Sequence, residues 1–220
     1  MSKGLGEDQS IKKVYRSVRN LPKDSSREEI RLALPGILEL ISTTQRQFLP
    51  ELRMVIYEFG KQPNLLAALQ DNYIAMPTSN YHQRYLVLQL MGELQNPLAL
   101  PFLKDVVTAP LPPQTASAEG LSPRDDEATI QMKAIQGIGY IRDESGLPVR
   151  PALDALINIA QTHPERAVRV VAIDTYMWNH PDSREASANL KRALPEEYHP
   201  FIGRERFYRG AALESFSKHK

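Results

Sequence analysis

The sequence predicts an all-α protein, and three observations carry that prediction. Apolar residues recur at helical spacing through nearly the whole chain. Strand signals are nearly absent, since there is no sustained period-two alternation and no Asn-Gly or Asp-Gly hairpin turn between apolar runs. The helical segments are joined mostly by short turns of about 2 to 6 residues. About nine or ten short helices joined in this way favour a layered stack over a bundle of a few long helices.

Two helices are predicted at the start of the chain. The first has an apolar stripe at positions i, i+3, i+4 and i+7, formed by Ile11, Val14, Tyr15 and Val18. It should end near Pro22. Ser26 and Glu29 have the spacing of a capping box, which opens the second helix. The apolar positions of this second helix keep their register through Pro35, which predicts one kinked helix rather than two.

The rest of the chain reads as a series of helices interrupted by one long loop. Predicted helical segments cover residues 50–60, 63–73, 81–94, 97–107, 130–141, 151–160, 167–178 and 183–194. Between them, residues 109–126 contain four prolines and many small polar residues, so no helix is expected there. A loop of this length is usually either functional or disordered, and the sequence leaves both alternatives open.

Composition excludes several kinds of chemistry. The 220 residues include no cysteine, which excludes disulfides, thiol catalysis, cysteine-bound zinc and iron–sulfur clusters. Lys plus Arg number 27 and Asp plus Glu number 26, and this balance argues against a nucleic-acid partner. No apolar run is long enough to span a bilayer, so no membrane insertion is expected. The expected location is the cytoplasm, with the periplasm as the alternative if a leader is removed.

No catalytic or cofactor-binding motif is present in the sequence. The five histidines do not have metal-ligand spacing, and three of them, His163, His180 and His199, precede prolines, as expected for turns between helices. Gly137 and Gly139 lack the preceding strand of a dinucleotide-binding motif. The acidic run 125–127 lies where a helix begins, and the acidic pair 143–144 lies in a turn. The expectation is therefore a non-enzyme with no cofactor, no metal and no small-molecule ligand.

An internal repeat underlies the series of helices. In residues 84–103, Gly92 lies eight residues after Arg84, and an Asn-Pro turn then leads to a second amphipathic helix. In the next unit, Gly139 and Asp143 lie at the corresponding points. A third unit opens at Val168-Arg169, and residues 52–60 look like the first helix of an earlier one. The pattern has departures, since Met177 replaces the expected glycine and the basic residue shifts by one or two positions between units.

This pattern resembles the HEAT-repeat family, in particular its bacterial form. The resemblance implies an α-solenoid of about four antiparallel helix pairs over residues 45–194, with N-terminal capping helices at 7–44 and a C-terminal tail at 195–220, all in one domain. Such stacks leave an extended curved groove. The second helix of each unit would line it, which makes its polar residues the candidate protein-binding set: Lys104, Asn158, Arg184, Lys191 and Arg192. The implied function is a non-catalytic scaffold that binds a protein or a peptide.

A nucleic-acid-binding protein of the base-excising HEAT-like type is the alternative. Such proteins use an aspartate beside aromatic residues, and Asp174 and Trp178 share one helix face. The neutral charge and the single tryptophan argue against it, and Trp178 is instead expected to cap the core of the last repeat. The tail residues Phe201, Ile202 and Phe207 are expected to fold back over the last repeat, with an aromatic and arginine patch for a partner as the other interpretation.

Overall fold

The structure, a computed structural model, describes residues 4–43, 49–114 and 122–203 and is all-helical over these ranges. No β-strand occurs within them, apart from one isolated bridge between Arg142 and Pro148. The α-helices in the described ranges are α1 (Gly4–Arg19), α2 (Arg27–Thr43), α3 (Leu49–Gly60), α4 (Leu65–Ala75), α5 (Tyr81–Glu93), α6 (Leu100–Thr108), α7 (Pro123–Tyr140), α8 (Arg150–Thr162), α9 (Arg166–Asn179) and α10 (Ser183–Ala193). Short 3-10 helices cover Pro97–Ala99 and Glu196–Phe201. The all-α prediction is confirmed.

Local sequence signals set the helix boundaries near the N-terminus as expected. The Ser26 backbone amide donates to Glu29 Oε2 at 2.8 Å, and the Glu29 amide donates to Ser26 Oγ at 3.2 Å. This reciprocal pair is the predicted capping box, and it holds the pKa of Glu29 below its usual value. Helix α2 then continues through Pro35, as predicted, because its apolar residues remain buried on both sides of the proline.

The predicted loop at residues 109–126 is too long at its C-terminal end. Helix α7 begins at Pro123, so residues 123–126 are helical. Ser122 accepts a hydrogen bond from the Asp125 amide at 3.3 Å, and the Asp125 carboxylate accepts one from the Ser122 amide at 3.1 Å. The four prolines obscured this second capping box, in which Pro123 occupies the first helical position, where its missing N–H costs nothing.

Helices α5, α7 and α9 pack side by side in a row. Helix α6 packs against α7, α8 packs against α7 and α9, and α10 packs against α8 and α9. At the other end, α1 packs against α2 and α3, while α2 packs against α4 and α5. Buried apolar side chains from all ten helices form one core that runs through these layers.

The row of helices is close-packed because glycines lie at the crossings. A Cβ atom added at Gly92 on α5 would lie 3.0 Å from the Gly137 Cα atom on α7. Gly139, two residues further along α7, lies against Thr175 and Asn179 on α9. Met177, which replaces the expected glycine, lies on α9. Helix α9 is the last helix of this row in the described chain, so no next helix of the row packs against it.

None of the helices in the described ranges combines the length and the apolar character needed to cross a membrane.

Candidate functional site

Three long polar side chains, in the first turn of α5 and of α9 and in the middle of α7, each donate a hydrogen bond to a backbone carbonyl of an earlier segment. Arg84 Nη1 donates to the Thr78 carbonyl at 3.0 Å, Gln131 Nε2 donates to the Ala109 carbonyl at 2.7 Å, and Arg169 Nε donates to the Ala160 carbonyl at 2.7 Å. Ala160 lies in the last turn of α8 and Ala109 directly follows α6, whereas Thr78 lies three residues beyond the end of α4. Helix ends leave carbonyls without intrahelical donors, and Gln131 and Arg169 each supply a donor there.

Prolines explain why two of these carbonyls need a side-chain donor. The residues four positions after Ala109 and Ala160 are Pro113 and Pro164, which have no N–H. The sequence therefore removes the donor that a continuing helix would supply. The second member of the set, Gln131, is completely buried, and it replaces the basic residue that the repeat pattern led us to expect.

The turns that follow α5, α7 and α9 also share a feature. Asn96 Oδ1 accepts from the Leu98 amide at 2.9 Å, Asp143 Oδ1 accepts from the Ser145 and Leu147 amides, and Asp182 Oδ1 accepts from the Arg184 and Glu185 amides. The Ser145 hydroxyl, which donates to Asp143 Oδ1 at 2.6 Å, and then the backbone amides lower the pKa of Asp143. The Glu185 and Arg184 amides lower the pKa of Asp182. The predicted position of Asn96 and Asp143 in turns is confirmed. Asp143 stabilises its turn by accepting hydrogen bonds from the backbone.

The first of the three donors is also half of a buried ion pair. Arg84 Nη1 lies 2.7 Å from Glu127 Oε2, and Arg84 Nη2 donates to Glu127 Oε1 at 2.8 Å and to the Tyr73 hydroxyl at 2.7 Å. Both charged residues are buried, and the planar guanidinium matches the carboxylate at two points. The carboxylate raises the pKa of Arg84 against the opposing effect of burial. Glu127 therefore joins α7 to α5 rather than serving only as an acid at a helix start.

The five predicted protein-binding residues lie on α6, α8 and α10 and are all exposed. Lys104 is on α6, Asn158 is on α8, and Arg184, Lys191 and Arg192 are on α10. The structure brings α8 and α10 together, because Gln161 Nε2 on α8 donates to the Ala193 carbonyl at 3.0 Å. Their exposure is compatible with a binding role, and that role stays a prediction.

A half-buried group of titratable side chains that no sequence motif marks lies between α5 and α7. Lys133 Nζ lies 4.6 Å from the centre of the Tyr85 ring. Burial lowers the pKa of Lys133 to about 8, against the opposing attraction of Glu93. Burial also raises the pKa of Glu93, although Lys133 and Arg53 attract its charged form. The one sequence signal for this group is the spacing of Tyr85 and Glu93, which lie two turns apart on α5.

Replacing Lys133 by methionine should stabilise the protein at neutral pH. Between the folded pKa of about 8 and the unfolded value near 10.5, the unfolded chain binds more protons, so the wild-type free energy of unfolding rises with pH. The Lys133→Met variant should gain about 1 kcal/mol near pH 7 and lose this upward slope. Urea unfolding at pH 7 and pH 9 measures the gain in stability and the slope. Both pH values lie below the raised pKa values of Tyr85 and Tyr140, so these tyrosines stay neutral and do not affect the slope.

The exposed Lys104 provides the control for this measurement. Lys104→Met makes the same chemical change on α6 and should leave the pH slope as in the wild type. Equal slopes for wild type and Lys133→Met would contradict the assignment. Arg142 does not add to the pH slope. Burial lowers its pKa, but its guanidinium stays positively charged between pH 7 and pH 9.

The histidines before prolines mostly mark turns, as expected. His163 and His180 follow the last residues of α8 and α9, and the His163 ring is buried, with Nε2 3.2 Å from the Val107 carbonyl. Burial lowers the pKa of His163. His199 differs because it lies inside the 3-10 helix Glu196–Phe201, where Nε2 is 3.1 Å from the carbonyls of Lys191 and Leu194.

Trp178 does not cap the core. Its exposed fraction is 40%, and Asp174, one turn earlier on α9, is half-buried. Phe201 and Ile202 do pack against the core, as predicted, and the Phe201 ring lies beside Arg166 at the start of α9, while Phe207 lies outside the described residues.

Within the described ranges, no three or more His, Asp or Glu side chains come together in a way that could hold a metal ion. Comparisons with family models, with curated proteins and with solved structures found no match to this chain.

Proposed function

We propose that this protein is a non-catalytic scaffold that binds another protein or a peptide through the exposed surfaces of α6, α8 and α10. The observation that supports it is the threefold contact in which Arg84, Gln131 and Arg169 each donate to a carbonyl at the end of the preceding helix or in the turn that follows it. A contact that recurs at equivalent places is typical of stacked helix pairs, in which each pair packs mainly on its neighbours.

The arrangement of the helices supports the same proposal. Helices α5, α7 and α9 pack side by side, and the helices that follow them, α6, α8 and α10, carry exposed polar residues. Stacked pairs of this kind in HEAT-like proteins present their second helices along one surface. The side chains there are of mixed charge and polarity, which suits a polypeptide better than a polyphosphate.

The proposal is tested by charge reversal on that surface. A triple variant, Lys104→Glu, Arg184→Glu and Lys191→Glu, should reduce recovery of specific partners from the native source at least about tenfold, as measured by affinity capture and quantitative mass spectrometry. The matched control places three reversals on α1, at the exposed residues Lys13, Arg16 and Arg19. It makes the same change in net charge and should retain the partners.

Two outcomes would contradict the proposal. One is a set of captured proteins that is unchanged by the triple variant. The other is DNA or RNA binding in an electrophoretic shift assay that weakens steeply with salt, since this dependence is typical of phosphate contacts and would favour the nucleic-acid alternative.

A further inference from the structure

Lys133 carries a half-buried amine on the side of α7 that packs against α5. Its Nζ atom lies 4.6 Å from the centre of the Tyr85 ring on α5, so an aromatic face covers one side of the amine. Within the described ranges, Nζ donates no hydrogen bond and forms no ion pair, either with α5 or with α6, α8 and α9, which also pack against α7. An ammonium group that is partly withdrawn from water without a new acceptor favours its neutral form.

Close helix packing keeps the amine in this position. A Cβ atom added at Gly92 on α5 would lie 3.0 Å from the Gly137 Cα atom and 3.2 Å from Tyr140 Cδ2. Gly137 and Tyr140 follow Lys133 by one and two turns of α7, so the three residues share one side of the helix. The two helices therefore meet one turn away from the amine, which stays beside the Tyr85 ring while part of its side chain remains exposed.

The titratable groups around Lys133 leave a large share of its amine uncharged. Burial lowers the pKa of Lys133 to about 8, and Glu93 on α5 opposes this by attracting the ammonium form. Arg53 on α3 attracts the same carboxylate. Tyr85 and Tyr140 have pKa values raised by burial, so both rings stay neutral at pH 7.5. About one quarter of the Lys133 amine is then neutral at this pH, against about one part in a thousand for a lysine with a pKa near 10.5.

A neutral amine is a nucleophile, and its surroundings favour one kind of product. With a thioester, the amine nitrogen attacks the carbonyl carbon, the carbon–sulfur bond breaks, and the thiol leaves with the proton that the nitrogen loses. The product is an uncharged amide, so the reaction removes a positive charge that burial disfavours. An imine formed with an aldehyde can take up a proton and keep that charge. The position therefore suits an acyl group better than an aldehyde.

We propose that Lys133 is an acylation site, at which the half-buried amine beside the Tyr85 ring accepts a short acyl group from a small, uncharged thioester. The site lies on the row formed by α5, α7 and α9 and not on the exposed surfaces of α6, α8 and α10. The inference is thus independent of the proposed scaffold function.

The test measures the acylation rate of each lysine in the full-length protein. The probe is a limiting amount of S-acetyl-N-acetylcysteamine at pH 7.5, and quantitative peptide mass spectrometry reports the acetylated fraction of each lysine with time. We expect Lys133 to react at least about tenfold faster than the exposed Lys104, a smaller ratio than the neutral fractions give because half-burial and lower basicity slow the attack. In protein unfolded by urea, the two rates should become equal.

A carboxylate variant tests the assigned surroundings of the amine. Glu93→Gln removes the group that attracts the ammonium form, so the Lys133 rate at pH 7 should rise about two- to fivefold. Glu58→Gln makes the same change at the carboxylate bonded to Lys61 and should leave the Lys133 rate unchanged. Circular dichroism checks that both variants are folded.

Three results would overturn the inference. The first is a Lys133 rate in the folded protein no higher than that of Lys104, a comparison that needs no variant. The second is a preference for Lys133 that persists in urea, because it would then belong to the local sequence and not to the packing of α5 on α7. The third is an unchanged Lys133 rate in folded Glu93→Gln protein.

Discussion

Replacing Glu127 by alanine is expected to lower the free energy of unfolding by about 3 to 5 kcal/mol. The reason is that the variant leaves the Arg84 guanidinium buried and charged without the carboxylate that now contacts both of its terminal nitrogens. Urea unfolding followed by circular dichroism measures the loss. The double variant Arg84→Met/Glu127→Leu should recover a large part of it, because an apolar pair of similar volume carries no buried charge.

The recovery should be incomplete for a reason visible in the structure. Arg84 also donates to the Thr78 carbonyl and to the Tyr73 hydroxyl, and methionine supplies neither bond. The exposed pair of Glu28 and Arg31, 3.1 Å apart on α2, is the matched control. Glu28→Ala should cost less than about 1 kcal/mol. A Glu127→Ala loss as small as this control would contradict the role assigned to the buried pair.

Gly139→Ala is expected to cost about 2 to 3 kcal/mol, even though alanine favours a helix over glycine by about 1 kcal/mol. A Cβ atom at this position would lie 2.7 Å from Asn179 Nδ2 and closer still to Thr175 Cγ2, so α7 and α9 could not keep their present separation. Thermal unfolding and urea unfolding both measure the effect.

A second substitution tests whether this contact is the cause. Thr175→Ser deletes the Cγ2 atom that the new methyl group would meet, so the pair Gly139→Ala/Thr175→Ser should show a favourable coupling of more than about 0.5 kcal/mol. Gly60→Ala is the control, because its Cβ would lie 3.2 Å from the flexible end of Leu94. A Gly139→Ala variant as stable as the Gly60→Ala variant would refute the close approach of α7 and α9.

The sequence was informative wherever the signal is local. Helical periodicity located most of the described helices to within a few residues, although it placed the start of α7 at residue 130 instead of 123. The Ser26 and Glu29 spacing identified the start of α2, and the unbroken apolar register correctly carried α2 through Pro35. The error at residues 123–126 arose because proline content outweighed a capping signal. Local composition does not distinguish a proline that ends a loop from one that begins a helix.

Contacts between distant segments were beyond reach of the sequence alone. Glu127 reads as one of three acids at a helix start, and only the packing of α5 on α7 reveals Arg84 as its partner. The repeat pattern calls for a basic residue at the place of Gln131, whereas the contact requires only a donor. The packing of α2 against α4 and α5 is likewise indicated by no periodicity.

The three donor contacts all run from a later segment to an earlier one. Arg84, Gln131 and Arg169 each donate to a carbonyl that precedes them in the sequence, so the turn after α4 and the ends of α6 and α8 each depend on the segment that follows. The contact of Gln161 with the Ala193 carbonyl runs the other way, because α8 supplies the donor for the end of α10. Opening of α9 should therefore loosen the end of α8, and opening of α8 should loosen the end of α10.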